Sequence, residues 1–427
     1  MDEGLTITVI GAGSSYTPEL MDGFLKLPPD HLPVAAFRLH DVNAERLEIM
    51  AGLSERMIRR SGRAVSVTRC SRLDPALEGA DYIIAQIRVG GMPARYLDES
   101  IPLKYGLLGQ ETTGAGGMFK ALRTVPAMLQ IARAAERIAP RAFILNYTNP
   151  SGIIAEAVTR HTGARFIGLC SGIPSMITDL QKRFGAEYPD MTCRCVGLNH
   201  LGFIHRIVSG GRDVTREILQ SLYDEKARAS TDPDAVAWQA LCLDIGAIPI
   251  GYLGYFFRRG HSIEKLRSQE KTRAQQIMQI ESAIFAEAAS PGFDGKPTAL
   301  AQRGGGGYSA ITFATMAAIH HDTGAELAVS APQRGCIEGL NPEEVAELVC
   351  RIDRRGATPL PVGPIPLAFR GLVQAVKAYE VLTVEAAVRR EKRLLRLALI
   401  NHPLAGDVDV IDPLLDEMLA AHGLEFR

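Results

Sequence analysis

Cysteine is sparse in this sequence: seven residues, Cys70, Cys170, Cys193, Cys195, Cys242, Cys336 and Cys350, spread along 427 positions. An odd, scattered set argues against a disulfide framework and for reduced thiols in a cytoplasm. Excess charge is missing too. With 47 Lys and Arg against 48 Asp and Glu, a net charge of −1 leaves no global field to hold nucleic acid or an anionic membrane. No apolar run approaches the roughly 18 residues of a membrane-spanning helix, and the opening MDEGLTITVIGAG is acidic where an export signal is cationic. A soluble, cytoplasmic protein is the expectation. There is no GxxxxGK[ST] loop, no solenoid repeat and no low-complexity tract beyond Gly304 to Gly307. Walker-type ATP binding is therefore rejected, and the glycine run reads as a mobile loop near a pocket.

What is present is a chain too long for one small core, with 46% hydrophobic and 22% charged residues, so two packed units are expected. The first, residues 1–200, alternates strand and helix patterns. LTITVI, Leu5 to Ile10, is a β-branched apolar run that leads into GAGSSYTPEL and then a helix. Gly11 permits a tight turn, and Gly13 lets the backbone approach a pyrophosphate over a helix amino terminus. Ser14 and Ser15 complete the turn, and Tyr16 stands where a third small residue is usual. A second strand ends at Asp41, whose carboxylate suits the 2′-hydroxyl of NAD; a helix cap is the plainer alternative for it. Further strands follow at VSVTRC, DYIIAQI, AFILNYT and ARFIGL. The pattern is α/β, a doubly wound parallel sheet, with ligands expected beyond the carboxyl ends of the strands.

Those strand exits carry the chemistry. Asn146, Asn149, Pro150 and Gly152 share one turn, which reads equally as a polyol-binding loop or an ordinary turn. Cys170 and His200 each end an apolar run; thiolate and imidazole suit a borderline divalent metal, although their separation is not a zinc-finger spacing and both could be core residues. Cys193 and Cys195 alternate along a strand.

Taken in order, GAGSSYTPEL, IPLKYGLLGQETTGAGGMFKALRTVP, NYTNPSG, GLC, GLNHLGF, IPIGYLGYFF, QRGGGGYSA and RGLVQAVKAYEVLTVEAA resemble glycoside hydrolase family 4, closest to its 6-phospho-β-glucosidases. The resemblance covers nearly the whole chain. It implies a Rossmann-type domain related to lactate and malate dehydrogenases, a mainly α second domain, NAD and a divalent metal, usually manganese. It implies a homodimer or homotetramer acting on a small glycoside. Residue by residue, it implies Cys170 and His200 as metal ligands and Tyr252 as catalytic base, with Tyr255 as the near rival. Gly11, Gly13, Ser14, Ser15 and Asp41 would hold NAD, and Arg95, Glu111 and Asn149 would line the sugar pocket. Arg273 is a candidate for an anionic C6 group, against the plainer reading of a solvated helix face. The implied chemistry uses no carboxylate pair. NAD⁺ oxidises C3, the metal polarises the ketone, a tyrosine removes the C2 proton, the aglycone leaves, water adds and C3 is reduced again. The cationic metal and nicotinamide would lower the tyrosine's pKa.

The chain departs from the 6-phospho-β-glucosidase pattern at CSGIP, with Ser171 and Gly172, and in the long TDPDAVAWQALCLDIGAIP containing the only tryptophan, Trp238. Those changes keep open a sulfonate at C6, as in NAD-dependent sulfoquinovosidases. Two readings from other classes remain beside these, a 2-hydroxy acid dehydrogenase and an inactive nucleotide sensor. The second unit, residues 201–427, is read as mainly helical: REILQSLYDEKARA, one run from SIEKL through IFAEAA, PEEVAELVCRID, and Ile365 to Leu404.

Overall fold

The computed structural model describes residues 4–304 and 306–427, so the acidic start and Gly305 of the glycine run lie outside it. Six strands form the parallel centre: β1 (Leu5–Ile10), β2 (Val34–His40), β3 (Ser66–Cys70), β4 (Tyr82–Ala85), β5 (Phe143–Asn146) and β6 (Arg165–Gly168). Their order, β3-β2-β1-β4-β5-β6, is the doubly wound arrangement, with its switch point between β1 and β4. Ile7, Val9, Ile83, Ile84, Ile144 and Leu145 are fully buried, as helices on both faces of a parallel sheet require. The long helix Gly114–Ile138 is buried along most of its length.

The second half departs from the helical reading. A hairpin of β7 (Thr192–Leu198) and β8 (Leu201–Ser209) carries β9 (Arg212–Asp213) and β10 (Ile248–Pro249) at its flanks. The chain then returns to the main sheet with β11 (Ala325–Pro332), antiparallel to β6. A short parallel pair joins β12 (Ile337–Glu338) to β15 (Gly363–Pro364). PEEVAELVCRID, read as a helix, is instead β13 (Val345–Asp353), paired with β11 and with β14 (Gly356–Pro359). The cause is physical. Val345, Leu348, Val349 and Ile352 repeat at helical spacing, but the strand is buried on both faces and so needs no alternation. Nine strands, three from the second half, make one sheet.

Helices dominate the rest. The run read as continuous from SIEKL to IFAEAA breaks into Arg259–Ser268 and Arg273–Ala289, because Thr272 and Gln275 form a reciprocal capping box. Leu367–Arg389 and Lys392–Asn401 cover the carboxyl-terminal run, and Phe203 stacks on Phe369 with centroids 3.8 Å apart. No helix among the described residues is long and apolar enough to cross a membrane.

The GAGG segment shows how tightly the first half is packed. A Cβ on Gly116 would lie 2.4 Å from the carbonyl oxygens of both Asp98 and Gln110, whereas one on Gly371 meets nothing within 4 Å. Gly116→Ala is expected to destabilise the protein by roughly 3 kcal/mol, the upper end for overpacking. Gly371→Ala should be neutral or stabilising by about 0.5–1 kcal/mol. Thermal melting of the two variants checks the contrast.

Candidate active site

At the switch point a cleft of about 650 Å³ opens beyond the strand ends, lined by Gly11, Gly13, Ser14, Asp41, Gln86, Arg88, Lys120, Asn149, Arg303 and neighbours. Gly11 has φ +85, and a Cβ there would lie 2.8 Å from the Gln86 oxygen. On Gly13 it would lie 2.9 Å from both Asp41 Oδ2 and Arg46 Cβ. The glycines are thus required by close packing as well as by the turn. Asp41 accepts from Gly13 N and Asn43 N, each at 2.8 Å, while the Asn43 side chain caps the next helix by accepting from Arg46 N at 2.9 Å. The cap is therefore Asn43, and Asp41 stays on the cleft wall. Ser15 does not line the cleft. It is fully buried, donating to Glu281 Oε1 at 2.8 Å and accepting from Arg303 Nε at 2.6 Å.

Glu281, which sequence reasoning missed, also binds Arg303 Nη2 at 3.0 Å and Arg46 Nη2 at 3.3 Å. Arg46 Nε in turn donates to Gly13 O at 3.0 Å. Burial works against the Glu281 carboxylate, but Arg303 and the Ser15 bond outweigh it and hold the group below its usual range. Arg303 lies over the Tyr16 ring, 4.0 Å from its centroid, and the Tyr16 hydroxyl donates to Gly304 O at 2.7 Å. Tyr16, the departure from the glycine fingerprint, thus ties the turn to the glycine run. Arg273 faces the same region, donating to Gln302 O at 3.3 Å and Arg303 O at 3.0 Å; it is neither on a solvated face nor among the residues lining the cleft.

Deeper in, Glu111 gathers Arg88, Lys120 (2.6 Å) and Arg95 Nη1 (3.0 Å). Desolvation opposes its charge, but the three cations hold the carboxyl well below its usual value. Arg95 also pairs with Glu99 at 2.7 Å, and Glu99 accepts from Ala274 N at 2.7 Å at the start of helix Arg273–Ala289. Burial and Arg88 bring the Lys120 ammonium down to about 7, against the pull of Glu111. Neither Lys120 nor Arg88 was picked out from the sequence; the long buried helix hid the lysine.

Cys170 follows β6, and His200 sits in the β7–β8 turn at φ +64, a backbone state uncommon for any residue but glycine. β10 pairs with β8, and Ile250 N donates to Gly202 O at 2.9 Å. This sets the turn Gly251–Leu253 beside the hairpin, so the Tyr252 ring stacks on His200 at 4.1 Å and 15°. Tyr255 lies 6.1 Å from Tyr252. Burial pushes the Tyr252 phenol up, the Cys170 thiol up to about 12, and the His200 imidazole down to about 4. Gly172 N donates to Cys170 Sγ at 3.5 Å. At Gly172 a Cβ would lie 2.4 Å from Ile250 Cδ1 and 3.7 Å from Cys170 Sγ, so Gly172 packs against both. Trp238 stands on the helix Pro233–Ile245 with its ring 6.3 Å from Phe257, and it does not line the cleft.

These residues fit the two groups in question. The cleft has dinucleotide-binding geometry at its glycine turn, and Asn149 Oδ1 is buried in it without a partner. A neutral imidazole and a thiol suit a borderline metal. No cluster of three or more His, Cys, Asp or Glu side chains that could hold a metal occurs among the described residues, so two protein ligands would leave coordination positions for substrate.

The fold and cleft define a dinucleotide-domain enzyme whose second half closes over the strand ends. Residues 6–185 match the family 4 glycosyl hydrolases and residues 195–405 their C-terminal domain; the chain belongs to this family and is a hydrolase. It is 35% identical over 435 residues to a 6-phospho-β-glucosidase of Escherichia coli (strain K12), covering 99% of this chain and 96% of that one. It is 34% identical over 419 residues to the Thermotoga maritima 6-phospho-β-glucosidase BglT, covering 98% of each. A solved Thermotoga maritima 6-phospho-β-glucosidase with manganese, NAD⁺ and glucose-6-phosphate superposes with a TM-score of 0.90 at 32% identity, over 99% of this chain and 100% of that one. A lactate dehydrogenase from a deep-sea metagenome library, at 12% identity and TM-score 0.53 over 90% of this chain and 99% of that one, shares the architecture alone.

Glu111 offers a direct stability test. Glu111→Gln removes the one carboxylate that binds Arg88, Arg95 and Lys120 together and should cost about 3 kcal/mol. Lys120→Met removes one of the crowded cations and should cost much less. Denaturant titration of both variants at pH 7 reads the order, and the reverse order would contradict the charge assignment.

Proposed function

We propose that the protein hydrolyses glucosides bearing an anionic C6 group, 6-phospho-β-glucosides first, using NAD and a divalent metal, Mn²⁺ by preference. The observation that carries the reading is the convergence of Tyr252, His200 and Cys170 beside a cleft with a glycine dinucleotide turn. The relative solved with manganese, NAD⁺ and glucose-6-phosphate supports it. Gly11, Gly13 and Ser14 would receive the pyrophosphate at the start of helix Thr17–Leu25, with Asp41 on the adenosine ribose and Val42, 96% exposed at the cleft wall, beneath the base. Cys170 and His200 would hold the metal. Arg95, Glu111 and Asn149 would line the sugar site, and Arg273 is kept as a candidate for the C6 anion.

When bound, the two cofactors supply reversible oxidation of a sugar hydroxyl and polarisation of the resulting ketone. The chain's own part is to place a base. Without added positive charge Tyr252 is a neutral phenol, because burial and the neighbouring Cys170 disfavour its phenolate. A cation held at Cys170 and His200 would act on it directly through the stacked imidazole. Tyr252 is preferred to Tyr255 because its ring stacks on His200, the proposed metal ligand. The C6 sulfonate remains the second reading, motivated by Ser171 and Gly172; Trp238, standing off the cleft, does not support it. Cytoplasmic action as a homodimer or homotetramer completes the proposal.

Matched aryl glycosides with a 6-phosphate or 6-sulfonate, assayed with and without NAD⁺ and Mn²⁺, decide the substrate. Phosphate preference and dependence on both cofactors are expected. In D₂O, deuterium should appear at C2 of the product, and its absence would rule out C2 deprotonation. Tyr252→Phe should lower kcat by about 10²–10⁴ while NAD⁺ affinity is kept.

A further inference from the structure

We propose that Arg303, reaching over from the second half, binds the coenzyme's diphosphate with the free edge of its guanidinium. The inference rests on the reading of the cleft as an NAD site.

The glycine turn supplies shape but few donors. Gly11 N and Ala12 N both donate to His40 O at 2.9 Å, Gly13 N to Asp41 Oδ2 at 2.8 Å, Ser14 N to Gly11 O at 3.0 Å and Tyr16 N to Ser14 Oγ at 3.2 Å. The helix behind the turn adds none. Thr17 N donates to Ser14 O at 3.0 Å, Pro18 has no N–H, and Glu19 N and Leu20 N both donate to Tyr16 O. From Gly11 to Leu20, Ser15 N is the one N–H without an acceptor among the described residues. A helix start that receives phosphate ordinarily leaves several such groups free. Here the donors have to come from elsewhere.

Arg303 stands where they are missing. It ends the short helix Leu300–Arg303 and is 7% exposed. Three contacts fix its guanidinium: Nε donates to Ser15 Oγ at 2.6 Å, Nη2 donates to Glu281 Oε1 at 3.0 Å, and the central carbon lies 4.0 Å from the Tyr16 ring centroid. Nη1 has no acceptor among the described residues, and it is not one of the fully buried polar atoms that lack a partner. It therefore opens on the cleft that Arg303 lines. Glu281 does not cancel the charge, because it is shared with Arg46: two guanidiniums face one carboxylate. A planar fork already held on two nitrogens suits phosphate oxygens, and little freedom is left for it to lose on binding. Tyr16, in the place of the third small residue, thus carries the cation that replaces the missing N–H groups. A C6 phosphate has the same chemistry, but the bond from Arg303 to Ser15, inside the turn, favours the diphosphate.

The test uses the full chain and reads dissociation constants by calorimetry for ADP-ribose, which has the diphosphate, and adenosine, which lacks it. Arg303→Met should weaken ADP-ribose and NAD⁺ on the order of 10–100-fold and leave adenosine within about twofold. Equal losses for ADP-ribose and adenosine would make Arg303 a packing residue and overturn the proposal, as would wild-type affinity for ADP-ribose. Glucose-6-phosphate, titrated at saturating NAD⁺, separates the two phosphate sources. A loss there with ADP-ribose unchanged would assign the guanidinium to the sugar and is equally fatal. If Arg303→Met does not fold, a crystal structure of the wild-type chain with ADP-ribose decides: Nη1 within about 3.2 Å of a phosphate oxygen upholds the proposal, and a diphosphate out of its reach overturns it. A wild-type chain that binds neither NAD⁺ nor ADP-ribose would remove the NAD reading of the cleft and this inference with it. Wild-type binding that Arg303→Met leaves unchanged removes this inference alone.

Discussion

The shape of the cleft depends on one helix from the second half, Arg273–Ala289, held by carboxylates at two points. Glu99 accepts from Ala274 N at its start, and Glu281 in its middle gathers Ser15, Arg46 and Arg303. The first contact leads through Arg95 to Glu111, on the proposed sugar side; the second leads through Arg46 to the Gly13 carbonyl, on the proposed dinucleotide side. Both sides of the site are thus referenced to one rigid element. Buried ion pairs of this kind add little net stability against their desolvation, but losing one partner is costly, so they act chiefly to specify position.

The proposed catalytic side is organised differently. Tyr252 and His200 are joined by strand pairing and ring stacking, whereas Cys170 comes off the central sheet. Burial lowers the imidazole's pKa and raises the thiol's, so a metal held by this pair in the proposed way would have to displace the thiol proton. The family's combination of a dehydrogenase-like sheet with hydrolytic chemistry follows from this division. One part of the site is suited to a dinucleotide and the other to a metal and a phenol.

Much of this was legible in the residues. The six parallel strands could be read from β-branched or apolar runs ending in turn residues; the inner ones, such as β4 and β5, are buried on both faces and have strong local composition, whereas the edge strand β3 is mostly exposed and shows only its β-branched residues. Gly11, Gly13 and Asp41 could be placed by the same logic, since a glycine turn after a strand has a stereochemical reason. Cys170 and His200 stood out as a thiol and an imidazole ending apolar runs, with core residues as the alternative, whereas Tyr252 could be named only by resemblance. What stayed hidden was long-range. β13 carries helical periodicity, and only its seat between β11 and β14 makes it a strand. Glu281, Arg303 and Lys120 read as ordinary helix charges until the fold brings them to Ser15 and Glu111.

The return of the chain to the central sheet has a bearing on how the protein is made. β6 leaves the ribosome roughly 160 residues before β11, which pairs with it at Gly168 and Ser330. At translation speeds of about 5–20 residues per second, that edge waits roughly 8–30 s without its neighbour. An unpaired, flat, apolar strand is a template for association with other nascent chains. The hairpin and helices made in between are therefore under kinetic demand to shelter the edge, and synthesis rate becomes a determinant of yield independent of the stability of the finished fold.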